Sequence, residues 1–257
     1  PTTWDELNAA AEKLQAAGII PFAHGGQAWQ DATVFEAVAM GIGGNNYYKN
    51  CYVDLKESCL RSETTVKVFD QMRKLQGFTD EGSPGRDWNV ATGMVIEGKA
   101  GFQIMGDWAK GEFTAAGKVP GVDYYCAATP SNNGYLYNVD SFIFYKSSDP
   151  DKQAGQKLLA KLMMGKNFQK VFNLYKGSIP ARLDVSMDEF DKCAKTSNAD
   201  IKTAGASGGL VPSFAHGMAQ GNTMKAALQD IITEHFNSDM SSVDAANALA
   251  DSVLANM

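Results

Sequence analysis

The chain has 257 residues, of which 44% are hydrophobic, and a net charge of −6 at pH 7. That length can bury a sizeable core, as one large domain or two small ones. No apolar run approaches the ~20 residues that a membrane helix needs. An acidic balance without a Lys/Arg cluster argues against nucleic acid as a partner.

Helical signals open the chain and recur along it. Thr3 and Glu6 have the spacing of a capping box, and Gly18 ends the helix that they begin. Further helices are predicted over 31–40 (ended by glycines at 41, 43 and 44), 62–75, 151–172, 222–236 and 242–253. Short apolar strands are predicted over 19–23, 124–128 and 142–145. Helices that alternate with short strands indicate an α/β fold.

The most informative segment is 98–113. Its apolar run, 102–105, closes on Gly106 and is predicted to be a short buried strand. Asp107 and Trp108 would then lie at the carboxyl end of that strand, where open α/β sheets place ligands. A Trp there offers a flat apolar face and one polar edge, which suits stacking on a sugar ring. The alternative is a core Trp that merely follows a glycine.

Two patterns could indicate an enzyme. Residues 205–209 satisfy the Gly-x-Ser-x-Gly string of a hydrolase, but a polar stretch precedes them where that motif needs a buried strand. We interpret them as a glycine-rich loop. Asp107, Glu112 and Asp140 could supply the carboxylate pair of a glycosidase. A carbohydrate-active hydrolase is therefore the alternative function, and release of product from an aryl glycoside would favour it.

Cysteine and histidine spacing argues against a metal site. The three histidines lack the spacing of metal ligands. No Cys-x-x-Cys pair occurs among the four cysteines, Cys51, Cys59, Cys126 and Cys193. They are either reduced thiols of a cytosolic protein or two disulfides of a secreted one, and four cysteines allow three pairings.

Five segments carry a resemblance to a known family. They are Thr2–Leu7, Gly98–Trp108, Asn138–Ser141, Leu174–Arg182 and Val211–Met218. In this order they resemble the extracellular sugar-binding proteins of bacterial ABC importers. The likeness is to the glucose/mannose-binding branch of the large two-lobed, maltose-binding-protein-like class, and it runs over essentially the whole chain.

This resemblance implies a two-lobed α/β periplasmic-binding-protein fold, type II-like. Residues 1–130 and 181–257 would form most of the C-terminal lobe, and 134–180 part of the N-terminal lobe. Turn-rich crossings at 129–134 and 177–180 would join them. Family members carry a secretion signal and a lobe-forming segment before their equivalent of Pro1. We therefore expect this chain to be the C-terminal two-thirds of such a protein, with 134–180 packing on the missing N-terminal segment.

The resemblance also implies a function without catalysis or a cofactor. A periplasmic protein would bind a monosaccharide, glucose or a close aldohexose, in the interlobe cleft and deliver it to an ABC transporter permease. The implied ligand residues are Trp108, Asn138, Asp140, Lys176 and His216. Taken alone, each has a structural explanation, as a core Trp, a turn former, a helix-terminal cation or a loop histidine. Gln27 and Trp29 are weaker candidates. The missing segment would add further groups, including a second stacking Trp.

An oxidising periplasm favours two disulfides over four free thiols. Cys51 and Cys59 flank a short polar loop and can meet locally. Cys126 ends a strand-like run, and Cys193 lies in a polar helical stretch. With the compartment that the resemblance implies, we predict the pairs Cys51–Cys59 and Cys126–Cys193.

Overall fold

The computed structural model describes residues 1–130 and 134–257, so half of the predicted crossing at 129–134, residues 131–133, lies outside the described residues. The chain divides into two compact units. Unit 1 consists of Pro1–Gly106, Ala127–Asn138 and Asp200–Met257, and unit 2 of Asp107–Cys126 and Val139–Ala199. A compact unit need not coincide with a lobe of a longer protein. The lobe ranges 1–130, 134–180 and 181–257 therefore stay a prediction.

Helices dominate the described ranges. They are α1 (Trp4–Ala16), α2 (Ala28–Tyr48), α3 (Glu57–Leu60), α4 (Glu63–Gln76), α5 (Trp88–Ile96), α6 (Lys110–Ala115), α7 (Pro150–Met163), α8 (Lys166–Lys176), α9 (Lys192–Ser207), α10 (Asn222–Asn237) and α11 (Ser242–Ala255). The strands are β1 (Ile20–Phe22), β2 (Ala100–Phe102), β3 (Tyr135–Tyr137) and β4 (Leu210–Pro212). β1 pairs in parallel with β2, and β3 with β4. None of these helices combines the length and the apolar character needed to cross a bilayer.

The predicted helix starts are confirmed where capping residues mark them. The Glu6 amide donates to the Thr3 hydroxyl at 3.2 Å, which makes Thr3 the N-cap of α1. The Glu6 carboxylate accepts from the amide of Thr2 rather than from Thr3, so only half of the capping box forms. Ser62 caps α4 in the same way, by accepting from the Thr65 amide.

Helix α2 is longer than predicted. The end expected at the glycines after residue 40 is wrong, because the helix continues to Tyr48 with a kink at Gly44, whose φ is 73°. A Cβ at Gly41 would lie 2.2 Å from the carbonyl oxygen of Pro130. Gly41 therefore permits a close backbone contact and does not end the helix.

Two predicted strands are wrong, and a third is shifted. Residues 124–128 contain only an isolated bridge between Tyr124 and Pro120. In the described ranges, no strand pairs with 142–145, which is exposed and irregular. The apolar run 102–105 contributes only its first residue to β2. A strand exists through hydrogen bonds to a neighbouring strand, and an apolar run specifies no such neighbour.

The main core lies in unit 1, where α2, α4, α10 and α11 pack together. Residues 32–40 of α2 are buried on every side, which is typical of a central helix. Large side chains with at most 1% exposure fill this core: Phe35, Tyr48, Tyr52, Phe69, Met72, Phe214, Leu228 and Ile232. The core fixes α2 against the loop that follows β4, and this loop carries His216.

Unit 2 exposes a large amount of apolar side chain. No residue of α7 is buried. Between residues 142 and 164, six apolar side chains are more than half exposed: Phe142, Ile143, Tyr145, Leu158, Leu162 and Met164. We call these six residues the unit 2 apolar surface. Exposed apolar residues in such number mark an interaction surface or an aggregation liability.

Both cysteine pairs that the sequence predicts are present. Cys51 is bonded to Cys59, with their Cα atoms 5.2 Å apart, and Cys126 to Cys193, with theirs 5.7 Å apart. Both cysteines of the second bond lie in unit 2, and the bond spans a sequence separation of 67 residues. In a chain-entropy account, closing a loop of that length lowers the entropy of the unfolded state and raises its free energy by about 4 kcal/mol.

We predict that unreduced protein contains no titratable thiol and that peptide mapping joins these two pairs. Reduction should lower the free energy of unfolding by a few kcal/mol, mostly through the longer loop. A denaturant titration with and without reductant measures the loss. Four reactive thiols in freshly purified protein would contradict the pairing.

Candidate functional site

The five predicted ligand residues divide between the two units. Trp108, Asp140 and Lys176 belong to unit 2, whereas Asn138 and His216 belong to unit 1. The structure therefore shows two groups of candidate residues. Whether all five contact one ligand stays a prediction.

In unit 2, the turn that carries Trp108 contacts the end of α8. The 3₁₀ turn Asp107–Ala109 leads into α6, and α8 ends at Lys176, followed by Gly177 with φ 89°. A Cβ at Gly177 would lie 2.7 Å from the Gly111 amide nitrogen. A Cβ at Gly111 would lie 2.9 Å from the Lys176 carbonyl oxygen. Two glycines thus let the backbones touch, and this contact holds Trp108 and Lys176 in a fixed relation.

Asp107 strengthens the same contact. Its carboxylate lies close to Ser178 and to the amide of Ile179, just beyond the end of α8. Burial raises the pKa of Asp107, while these two groups and the nearby Lys110 oppose the shift. A glycosidase acid must reach its substrate, whereas this carboxylate is engaged with the backbone and side chain of its own unit. Asp107 therefore supports the position of Trp108.

Asp140 and Lys176 form an ion pair within unit 2. The side chain of Asp140 is 59% exposed and that of Lys176 27%. The Lys176 ammonium also lies 5.9 Å from the ring centroid of Phe172, one helical turn earlier. The pair places a carboxylate and an ammonium side by side, next to the half-buried Trp108 turn. This arrangement presents acceptors and donors together with an aromatic side chain.

In unit 1, Asn138 and His216 both follow the carboxyl ends of parallel strands. Asn138 comes directly after β3, and His216 lies in the loop after β4. The Ser213 amide donates to the Tyr137 carbonyl at 3.0 Å and joins the two strand ends. Ligands of open α/β folds lie at such edges. The structure therefore brings Asn138 and His216 to one edge of this strand pair.

Helix α2 holds the ring of His216. The Thr33 hydroxyl donates to the Trp29 carbonyl at 2.8 Å, so its oxygen accepts from His216 Nε2, 3.2 Å away. This hydrogen bond favours the tautomer of neutral His216 in which Nε2 carries the proton. The rings of Trp29 and His216 have centroids 6.0 Å apart. Trp29 is partly exposed and donates its indole N–H to Gln27 at 2.9 Å.

A buried acid, Glu36, was missed from sequence. It accepts from the Ser213 hydroxyl at 2.7 Å and from the Ala215 amide at 3.2 Å, in the loop that carries His216. Burial raises the pKa of Glu36 to about 7, although these hydrogen bonds favour the charged form. A single carboxylate inside the apolar stretch 34–40 was the signal that could have found it.

The structure also bears on the Gly-x-Ser-x-Gly string at 205–209 and on metal binding. Ser207 is the last residue of α9, and β4 follows it. This helix–serine–strand order is the reverse of the hydrolase elbow, in which the strand comes first. Within the described residues, no group of three or more His, Cys, Asp or Glu side chains could hold a metal ion.

Polar and aromatic side chains at the strand ends and at the end of α8 are the kind of groups that a solute-binding protein would use. The chain belongs to the family of bacterial extracellular solute-binding proteins, which matches residues 1–163. It is similar to a probable sugar-binding periplasmic protein of Brucella suis biovar 1 (strain 1330). The identity is 47% over 254 residues, and the match covers 98% of this chain and 60% of that protein. The chain thus spans about 60% of the relative's length.

Solved structures confirm the predicted α/β periplasmic-binding-protein fold. A chitin oligosaccharide binding protein matches 100% of this chain and 65% of its own, with a TM-score of 0.78 and 17% identity. The bacterial solute receptor AcbH, described as having an exclusive substrate preference for β-D-galactopyranose, also matches. It covers 99% of this chain and 65% of its own, with a TM-score of 0.70 and 17% identity. At such identities the likeness concerns the fold alone.

Proposed function

We propose that the full-length protein binds a monosaccharide, glucose or a close aldohexose, without chemical change. It delivers this sugar to the membrane permease of an ABC transporter, and it works in the periplasm. Family membership and the name of the Brucella relative support sugar binding. The choice of a monosaccharide rests on the resemblance of three segments, Asn138–Ser141, Leu174–Arg182 and Val211–Met218, to the monosaccharide binders of the family.

The observation that carries the proposal is the Asp140–Lys176 ion pair beside the Trp108 turn. A monosaccharide presents hydroxyls, each both donor and acceptor, around an apolar ring face. Asp140 supplies acceptor oxygens and Lys176 supplies donors, and hydrogen bonds to charged groups are about twice as strong as neutral ones. Trp108 covers one ring face. A sugar with one inverted hydroxyl would leave a buried polar group unpaired and would be rejected.

We further propose that a segment preceding residue 1 in the full-length protein covers the unit 2 apolar surface. The Brucella relative is longer than this chain, which spans 60% of it. The six residues of this surface are more than half exposed, and covering them removes apolar area from water. The same segment would supply the second stacking Trp that the resemblance implies.

Two measurements on the full-length protein test the function. The unfolding temperature is measured across aldohexoses, pentoses and disaccharides, and we expect it to rise with glucose or a close epimer. Proton NMR of that sugar after prolonged incubation should show it unchanged. If none of the sugars raises the unfolding temperature, sugar binding is contradicted. Product released from the sugar or from an aryl glycoside would show a hydrolase instead.

Replacement of Trp108 by alanine removes one stacking face. We expect it to weaken sugar binding by roughly 1–3 kcal/mol, the range for aromatic stacking on flat ligands. Trp108→Phe keeps a ring and should recover most of the affinity. Calorimetric titration measures both variants, and an affinity of Trp108→Ala within twofold of the parent would remove Trp108 from the site.

A further inference from the structure

Glu36 is a buried carboxylate that the proposed sugar site does not use directly. Its side chain is 3% exposed, inside the central helix α2. A carboxylate out of water costs several kcal/mol unless hydrogen bonds compensate it. An apolar residue there would avoid this cost, so the contacts of Glu36 indicate what the acid does.

Those contacts all lead to one loop. The Ser213 hydroxyl lies 2.7 and 2.9 Å from the two oxygens of Glu36, and the Ala215 amide donates at 3.2 Å. The Tyr48 hydroxyl donates to Glu36 at 3.0 Å and accepts from the Phe214 amide at 3.1 Å. Glu36 therefore binds three consecutive residues, 213–215, directly or through Tyr48.

The same loop is joined to His216. The His216 amide donates to the Ser213 hydroxyl oxygen at 3.1 Å, so Ser213 lies between Glu36 and the backbone of His216. The ring of His216 is held by Thr33. Thr33 and Glu36 are three residues apart on α2 and therefore share one helix face. One face of α2 thus sets both the backbone and the ring of His216.

We propose that Glu36 is a positioning residue for the sugar ligand His216, acting through Ser213 and the Ala215 amide. The inference rests on the proposed function in one respect, the role of His216 as a ligand. Glu36 does not touch the sugar. It fixes the loop after β4, so that the imidazole meets the sugar hydroxyl in one orientation. This pre-organisation lowers the cost of ordering the loop when sugar binds.

The test uses Glu36→Gln and Ser213→Ala in the full-length protein. Gln keeps the size of the side chain but replaces an acceptor oxygen with an amide that donates, so one loop donor loses its acceptor. Ser213→Ala removes the link itself and is the milder change. Each variant should bind glucose about tenfold more weakly, a change of about 1.4 kcal/mol. The double variant should be no weaker than either single one, because both break the same connection.

A second readout does not need sugar. Residues 1–257 contribute three histidines, and in ¹³C-histidine-labelled protein their ring signals are assigned by substitution. Both variants should shift the His216 ring signal and leave that of His235 unchanged. The matched control is Asp31→Asn, a second buried carboxylate of α2, which binds His24 at 2.7 Å and Thr233 at 2.8 Å. It should shift the His24 signal and leave the His216 signal and glucose affinity unchanged.

The outcomes separate this inference from the proposed function. Unchanged glucose affinity in His216→Ala would defeat the ligand role of His216, while the ring signal would still report whether Glu36 positions the loop. If His216→Ala weakens binding but Ser213→Ala leaves both affinity and the His216 signal at parent values, the inference is overturned. Should Glu36→Gln fail to fold, Ser213→Ala and its ring signal decide the question.

Discussion

Asp140→Ala is expected to weaken glucose binding by about 2–4 kcal/mol, because bound sugar would cover the Asp140–Lys176 ion pair, and this is the largest loss expected from any single substitution at the proposed site. Truncating one member of a hydrogen-bonded charge pair leaves its partner unmatched. Here that partner is Lys176, which pairs with Asp140 in unit 2. The sugar hydroxyls that donate to Asp140 would also lose their acceptor. Calorimetric titration of the full-length variant measures the effect.

The matched control is Asp184→Ala. Asp184 is also an ion-paired carboxylate of unit 2, with a side chain 51% exposed, and it pairs with Lys166 and Arg182. Lys166 begins α8 and Lys176 ends it, so the two pairs lie about 15 Å apart along the helix. The control should keep the parent affinity. Equal affinities of Asp140→Ala and the parent, within twofold, would show that Asp140 is not a ligand.

Residues 1–257 produced alone should bind glucose at least about a hundredfold more weakly than the full-length protein, a loss of about 2.8 kcal/mol. The proposed preceding segment would contribute one wall of the site and a stacking Trp. Without it, the unit 2 apolar surface stays exposed and should drive self-association. Light scattering measures the mass in solution, and calorimetry measures the affinity.

The control for this comparison is to add back the proposed preceding segment. The preceding segment, added as a separate polypeptide, should restore glucose affinity and reduce self-association. Fragments purified from the full-length protein must be checked by mass, since a retained segment would mimic self-sufficiency. A monomer of residues 1–257 with the full-length affinity would contradict the proposed role of the segment.

Much of the helical structure could be predicted from sequence, because helix signals are local. α4 carries its cap at Ser62 and an apolar stripe through Val66, Phe69 and Met72. The length of α2 could not be predicted. Gly41 looked like a helix end, but its role is set by a backbone contact with Pro130, which is distant in sequence.

Strands were harder, since each is only three residues long and depends on its partner. β3 and β4 were missed altogether, although they place Asn138 and His216 at one edge. Three residues are too few to show alternation between faces. By contrast, 142–145 had the composition of a strand but lacks a partner strand in the described ranges.

The candidate site shows the same division between local and long-range information. Motif resemblance named His216 and Lys176, but their supports come from tertiary packing: Thr33 and Glu36 for His216, Gly111 for the segment at Lys176. Only Glu36 left a trace in the sequence, as a charged residue in an apolar run. A charged residue within an otherwise apolar, buried helix is thus a useful local signal for a residue that positions a site.

Titration calorimetry of the full-length protein against a sugar panel tests the central claim most directly. The panel includes glucose, its epimers galactose and mannose, and maltose. We predict a saturable heat with glucose or one close epimer, a weaker response from the other epimers, and none from maltose. Saturable binding of maltose with no heat from any aldohexose would contradict the assignment of a monosaccharide site.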